Sequence, residues 1–349
     1  MVYLVLEDGT IFEGKRFGSE KECLGEIVFC TAMVGYVEAI TDPSYKGQIL
    51  TFTYPLIGNY GVSEEWFESD GVKCEGVVIK ELNFTSHHKG KKELDDLLKE
   101  YDVPGIYGVD TRELTKRIRV YGAMKAGIGE DKEELLEKVK KHKDISELNL
   151  VEEVSIKEPK VIGKGKRRVV LLDCGVKRGI VNNLLDNNIE LIIVPYNTSY
   201  KEILDYDPNG LFISNGPGDP RVLKEIIENI KKLINELPIY GICLGHQLLS
   251  LALGAKIKKL KFGHHGINQP VKDFETGRVY ITSQNHNYAV YEIPDCLEVT
   301  QINLNDKSIE GIKHKELPIK GVQYHPEARP GPHDTLSYFE EFKKIVREY

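Results

Sequence analysis

The chain has 349 residues, of which 41% are hydrophobic and 29% charged, and its formal net charge is −7 at pH 7. This length suits two domains rather than one, and the composition is that of a globular protein. The sequence shows no basic stripe with interleaved aromatic residues, no signal-peptide pattern, and no apolar stretch near the ~20 residues that span a bilayer. We therefore expect a cytoplasmic protein with reduced cysteines and with no nucleic-acid or membrane partner.

The first part of the chain, residues 1–155, is predicted to be a mixed α+β domain. Residues 1–60 alternate like strands and contain many turn signals, among them Thr41-Asp42-Pro43-Ser44. Helical patterns follow in "KGKKELDDLLKEY", "TRELTKRIRVYG" and "KEELLEKVKKH". Residues 156–167 combine proline, glycine and a run of charges without apolar periodicity, which is typical of a linker.

Residues 168–349 follow a different pattern, in which strands and helices alternate. Four apolar strands are predicted within "RRVVLLDCG", "ELIIVP", "GLFISNGPG" and "LPIYGICLG". A helix is predicted over Asp219–Leu237, with Asp219 as its N-cap and Pro220 in its first turn. Past Lys258 the chain shows short strands and hairpins, and then a last amphipathic helix. Continuous apolar strands joined by helices favour an α/β domain with a mostly parallel sheet, covered on both faces.

The stretch "YGICLGHQ" places Cys243 between two glycines at the predicted corner from the fourth strand to a buried helix. Such a corner resembles a nucleophile elbow with cysteine in place of serine. The glycines leave room where the turn crowds the backbone, and the helix N-terminus favours the reactive thiolate. The pattern therefore indicates a nucleophile, although a small buried apolar residue also fits it.

A thiol nucleophile needs a base, a carboxylate that orients the base, and donors for an oxyanion. In "GVQYHPEA", His325 and Glu327 follow a predicted strand at positions i and i+2, so both can face one side. The N–H of Leu244 is one candidate oxyanion donor, and Gly216 and Gly218 in "SNGPGDP" allow a second backbone donor to approach closely. The alternatives are a rim histidine at 325 and an ordinary loop that ends in a helix cap.

The motifs "GICLGHQ", "SNGPGDP" and "HPEA" together resemble the class I, or triad-type, glutamine amidotransferases. Members of this family hydrolyse glutamine to glutamate and pass ammonia to a synthase. Further stretches resemble the small subunits of glutamine-hydrolysing carbamoyl phosphate synthases, and they lie in both halves of the chain: "DPSYKGQILTFTYPLIGNYG", "DTRELT", "KFGHHGINQPVKD", "QNHNYAV" and "HPEARPGPHD". The resemblance implies a flavodoxin-like amidotransferase domain at 168–349, a docking domain at 1–155, and a place in arginine and pyrimidine biosynthesis.

The resemblance also implies roles for individual residues. Cys243 would be the nucleophile, His325 the acid and base, and Glu327 the orienting carboxylate. The glutamine-binding residues would be Ser44, Gly216, Gly218, Leu244, Gln247, Asn285, Asn287 and Tyr288. Where the family usually has Asn-His-Gly-Phe in a binding loop, this chain has Asn285-His286-Asn287-Tyr288. Asn287 can serve through its backbone because asparagine tolerates a positive φ, whereas Tyr288 adds a hydroxyl that needs a partner.

No metal site and no cofactor are predicted for this chain. Adjacent histidines in a strand, as at His87-His88 and His264-His265, point to opposite faces, and Gly163-Lys164-Gly165-Lys166 lacks the phosphate-loop spacing. The resemblance places ATP and magnesium in a large synthetase subunit, with which this chain would form a heterodimer or an oligomer of heterodimers.

Two other classes of function stay open. One is a free-standing γ-glutamyl cysteine hydrolase on the same fold, which would leave the N-terminal half without a purpose. The other is a catalytically silent scaffold protein, against which the intact set of cysteine, histidine and glutamate argues.

Overall fold

The computed structural model describes residues 1–349 and divides into two compact units. The first unit comprises residues 1–148 and 261–266, and the second comprises residues 149–260 and 267–349. None of the helices is both long enough and apolar enough to cross a membrane.

The first unit is built on a closed barrel of seven strands, with a separate pair of short strands and four helices. Its elements are β1 (Val2–Leu6), β2 (Ile11–Gly18), β3 (Cys23–Cys30), β4 (Gln48–Phe52), β5 (Leu56–Ile57), β6 (Gly76–Ile79), β7 (Glu81–Leu82), β8 (Pro104–Tyr107), β9 (Met124–Gly129), α1 (Tyr36–Ile40), α2 (Leu94–Glu100), α3 (Thr111–Tyr121) and α4 (Lys132–Lys141). The barrel order is β1-β2-β8-β6-β4-β3-β9, and β5 pairs with β7. Closure leaves the barrel without a free edge, and fully buried side chains such as Leu4, Ile27 and Ile106 belong to its core.

The second unit is one ten-stranded sheet with helices packed against it. Its elements are β10 (Lys160–Ile162), β11 (Arg167–Asp173), β12 (Ile189–Pro195), β13 (Gly210–Ile213), β14 (Ile239–Ile242), β15 (Lys256–Asp273), β16 (Val279–Glu292), β17 (Leu297–Asn303), β18 (Ile309–His314), β19 (Ile319–Val322), α5 (Val151–Val154), α6 (Arg178–Leu184), α7 (Tyr200–Asp205), α8 (Lys224–Leu233), α9 (Leu244–Ala252) and α10 (Ser337–Glu348). The strand order is β10-β12-β11-β13-β14-β19-β18-β17-β15-β16.

The centre of this sheet confirms the predicted flavodoxin-like fold. Strands β12, β11, β13, β14 and β19 are parallel neighbours, which is the 2-1-3-4-5 order of that fold when β11 is counted first. Successive residues of a strand point to opposite faces. In β11, Val170 and Leu172 share a core with α8 and α9, whereas Val169 and Leu171 share one with α10. Burial on both faces explains why these strands are continuous apolar runs.

Two local predictions for the second unit need correction. Asp219 does not cap a long helix: it caps a 3-10 turn at Pro220–Val222, and α8 begins only at Lys224. Leu223, between them, has φ −89° and ψ 48°, which is outside the helical region and separates the two elements. The predicted linker at 156–167 contains β10, whose Val161 pairs with Ile192 of β12. The sequence of this segment lacks an apolar pattern because the short edge strand is largely exposed.

Candidate active site

Cys243 lies at the corner between β14 and α9, as predicted. Its backbone has φ 53° and ψ −105°, a conformation that costs free energy in a residue with a side chain. The Cys243 N–H donates to the Val322 carbonyl at 2.9 Å, which holds the corner to β19. A Cβ on Gly245 would lie 2.1 Å from the Ile213 carbonyl oxygen, and one on Gly241 would lie 2.6 Å from the carbonyl carbon of Gly245. The corner can therefore form only with glycine at both positions.

We expect Gly245→Ala to destabilise the protein and abolish the activity that depends on Cys243. Overpacking usually costs about 1–3 kcal/mol, and here the obstacle is the backbone of β13 rather than a flexible side chain. Thermal unfolding measures the effect, with Ser250→Ala as control because it removes only a hydroxyl bonded to the His246 carbonyl of the same helix. An unfolding midpoint equal to that of the wild type would show that the corner does not need this glycine.

His325 and Glu327 follow β19 and form a buried pair. The Nδ1 atom of His325 lies 2.6 Å from Oε1 of Glu327, and both residues are 1% exposed. The His325 N–H donates to the Ser283 carbonyl at 2.8 Å, which fixes the backbone beside β16. Burial favours the neutral imidazole, but the charge of the Glu327 carboxylate and its bond to Nδ1 outweigh burial and raise the pKa of His325. The three predicted catalytic residues are thus brought together, with a protonated imidazole favoured beside the thiol.

Lys177, which the sequence-based reasoning missed, completes this charged cluster. Its Nζ lies 2.9 Å from Oε1 of Glu327 and donates to the Arg329 carbonyl at 3.0 Å, and its side chain is 3% exposed. Burial opposes ionisation of Glu327, but the charges of Lys177 and His325 outweigh burial and hold the pKa of Glu327 well below its usual range. A signal existed in "DCGVKRG", because this lysine follows the first parallel strand, and ligands of such sheets bind beyond the carboxyl ends of the strands.

The glycine loop at residues 216–218 packs closely against the start of α9. A Cβ on Gly216 would lie 2.1 Å from the Cys174 carbonyl oxygen and 2.7 Å from Cδ2 of Leu244. Gly218 has φ 86°, a conformation that favours glycine. Leu244 opens α9, so its N–H has no partner within the helix. The predicted oxyanion donors therefore come from neighbouring segments of the second unit.

Residues 285–288, predicted as a binding loop, lie instead within the long strand β16. The Asn285 carbonyl accepts a hydrogen bond from Sγ of Cys243 at 3.5 Å. Asn287 does not have a positive φ, so the glycine usual at this position is not needed for the backbone here. All four residues of this part of the strand are buried.

Gln247 holds this strand to α9. Its Nε2 donates to the Tyr288 carbonyl at 2.8 Å and to Oε1 of Gln323 at 3.1 Å. The amide nitrogen of Gln247 is therefore hydrogen-bonded within the protein. A role of the other side-chain atoms of Gln247 in glutamine binding stays a prediction.

Ser44 belongs to the first unit. It lies in the 3-10 turn Pro43–Tyr45, and its N–H donates to the Asp42 carboxylate at 2.9 Å. Asp42 thereby fixes the turn in which Ser44 sits, and the role of Ser44 in glutamine binding stays a prediction.

Two family profiles match the chain. The profile for class I glutamine amidotransferases matches residues 170–345, and the profile for the CPSase domain of the carbamoyl-phosphate synthase small chain matches residues 4–128. The carbamoyl phosphate synthase small chain of Archaeoglobus fulgidus is 59% identical over 99% of both chains, and that of Methanocaldococcus jannaschii is 58% identical over 98% of both. A bacterial relative of the same name, from Fusobacterium nucleatum, is 50% identical over 98% of this chain and 97% of its own. This chain therefore belongs to the carbamoyl phosphate synthase small chain family and carries a class I glutamine amidotransferase domain.

Proposed function

We propose that this chain hydrolyses glutamine at Cys243 and supplies the ammonia to a large ATP-dependent partner subunit that makes carbamoyl phosphate. The observation that carries the proposal is the buried array at the ends of the paired strands β14 and β19, where Glu327 holds His325 and where the Cys243 side chain and the His325 backbone both bond to β16. This is the arrangement of nucleophile, base and orienting group that acyl transfer requires. The match of nearly the whole chain to carbamoyl phosphate synthase small chains disfavours a free-standing hydrolase and a silent scaffold.

In the first half-reaction, the Cys243 thiolate attacks the side-chain amide carbon of glutamine. The negative charge that develops on the amide oxygen is stabilised by the N–H groups of Leu244 and Gly218. His325 then donates its proton to the departing nitrogen, so the C–N bond breaks, ammonia leaves, and a γ-glutamyl thioester remains on Cys243. The raised pKa of His325 suits this step because it keeps the donor protonated.

In the second half-reaction, water hydrolyses the thioester. His325, now neutral, takes a proton from the attacking water, and the C–S bond breaks to release glutamate and restore the thiolate. Glu327 stays ionised throughout and stabilises the imidazolium each time it forms, while Lys177 keeps Glu327 in place.

The partner subunit follows from the chemistry of the product. Ammonia that escapes into water becomes ammonium, which is not a nucleophile, so a closed passage to the enzyme that consumes it is needed. We assign ATP and magnesium to that partner and place the reaction in arginine and pyrimidine biosynthesis.

Co-purification from native extract, followed by a glutaminase assay with and without the partner, tests the assignment. The proposal predicts a large ATP-dependent chain that elutes with this one and carbamoyl phosphate formed from glutamine. Full glutaminase activity of the chain alone, with no partner recovered, would favour the free-standing hydrolase.

We expect Ser44→Ala to change the glutamine KM or kcat by about tenfold, the worth of one hydrogen bond of roughly 0.5–1.5 kcal/mol. Thermal stability should barely change, because the bond from the N–H of residue 44 to the Asp42 carboxylate survives the substitution. Steady-state glutaminase kinetics measure the effect. Ser86→Ala is the control, since it removes an exposed hydroxyl that donates to the Asn59 carbonyl in the same unit. Identical kinetics of both variants would remove Ser44 from the glutamine site.

A further inference from the structure

Arg221 is tied to the glycine loop by a close contact with Asp219. Its Nε lies 2.9 Å from Oδ1 and 3.0 Å from Oδ2 of Asp219, and its terminal nitrogen also bonds Oδ2. Asp219 is 2% exposed and directly follows Gly218. Its Oδ1 also accepts the backbone N–H of Arg221 at 2.9 Å. The Asp219 carboxylate therefore fixes the guanidinium to the end of the glycine loop.

The same guanidinium reaches the aromatic residue of β16. Cζ of Arg221 lies 5.6 Å from the ring centroid of Tyr288, within the range of a cation–π contact. The ring is 2% exposed and packs in a cluster with Ala255 and Val290, so it offers a fixed surface. The Tyr288 carbonyl is in turn held by Gln247 of α9 at 2.8 Å.

We propose that the Asp219–Arg221–Tyr288 bridge positions the two segments that hold glutamine, the glycine loop and residues 285–288, relative to each other. Arg221 is thus a positioning residue, and the tyrosine that stands where the family usually has phenylalanine serves as its partner. The inference rests on the proposed function, because it assigns these segments to the glutamine site. Arg221 contacts the Asp219 carboxylate on one segment and the Tyr288 ring on the other. A displacement of either segment therefore shifts the other.

Substitution of either end should weaken glutamine binding more than catalysis. In the full-length chain with its native partner, we expect Arg221→Met and Tyr288→Leu each to raise the glutamine KM about three- to tenfold, with kcat and ammonia-dependent synthesis nearly unchanged. Because both act through one contact, the double variant should be no worse than the worse single variant. Arg221 is half exposed, so Arg221→Met should fold, and Tyr288→Phe, which keeps the ring, should leave the KM near the wild-type value.

A matched pair, with its ring on the same strand β16, supplies the control. Nζ of Lys258 lies 5.8 Å from the ring centroid of Tyr291, an exposed cation–π contact outside both segments. Lys258→Met and Tyr291→Leu should leave the KM at the wild-type value.

The outcomes separate this inference from the proposed function. The bridge alone would be overturned if the wild type hydrolyses glutamine through Cys243 but Arg221→Met and Tyr288→Leu either match the controls or add their effects in the double variant. A wild-type complex that does not hydrolyse glutamine would overturn both. A raised KM with a non-additive double variant supports the bridge.

Discussion

Cys243→Ser should abolish glutamine-dependent carbamoyl phosphate synthesis by the complex and leave ammonia-dependent synthesis at the wild-type rate. The thiol serves only to release ammonia, and free ammonia added to the assay bypasses that step. A serine hydroxyl at the same strained corner cannot replace the thiolate, and we expect glutaminase activity to fall by more than about a thousandfold, as it does when other hydrolases lose their nucleophile. Both rates are measured on one preparation of the complex.

Cys174→Ala is the matched control for this experiment. Cys174 is another fully buried cysteine of the second unit, and burial raises its pKa, so it is an inert thiol. The control should retain glutamine-dependent synthesis. An equal loss of glutamine- and ammonia-dependent synthesis in folded Cys243→Ser complex would contradict the division of labour between the subunits.

His325→Asn should slow glutamine hydrolysis by about 10²–10⁴-fold, the usual worth of a general acid–base group. Glu327→Gln should cost less, because the carboxylate acts only through the imidazole that it orients and charges. Single-turnover rates with glutamine compare the two variants directly. A larger loss of rate in Glu327→Gln than in His325→Asn would contradict the roles assigned to the two residues.

The pH dependence of Glu327→Gln separates an electrostatic role from a merely structural one. In the wild type the Glu327 carboxylate raises the pKa of His325, so the imidazolium persists to alkaline pH. Loss of that charge, with Lys177 still present, lowers the pKa of His325, and the proton donor is lost at lower pH. The alkaline limb of kcat/KM should therefore move to lower pH. A limb at the wild-type position in a folded variant would show that Glu327 does not tune His325.

Local spacing suggested the elbow and the placement of His325 and Glu327 on one side, and the resemblance to amidotransferases supplied their predicted roles. His325 and Glu327 are two positions apart after a strand, and Cys243 is framed by glycines whose absent side chains the turn requires. Lys177 was not predictable in the same way. A lysine is usually solvated, and only the tertiary fold buries this one against Glu327.

The remaining errors also arose where tertiary packing overrides local preference. The family resemblance suggested a binding loop at Asn285-His286-Asn287, yet these buried residues are part of β16. Apolar spacing after Asp219 suggested one long helix, but the chain forms a 3-10 turn first, which places Arg221 beside Tyr288. These deviations cluster at the proposed glutamine site.

The most direct test of glutamine hydrolysis at Cys243 is mass spectrometry of the intermediate. The complex is mixed with glutamine and quenched in acid within a single turnover. The protein is then digested, and the peptides that contain the six cysteines of this chain are compared. The mechanism predicts one γ-glutamyl group on the peptide that contains Cys243, absent from Cys243→Ser and accumulated in variants that hydrolyse the thioester slowly. Glutamine hydrolysis with the glutamyl group on another cysteine, or on none during steady turnover of a slow variant, would contradict it.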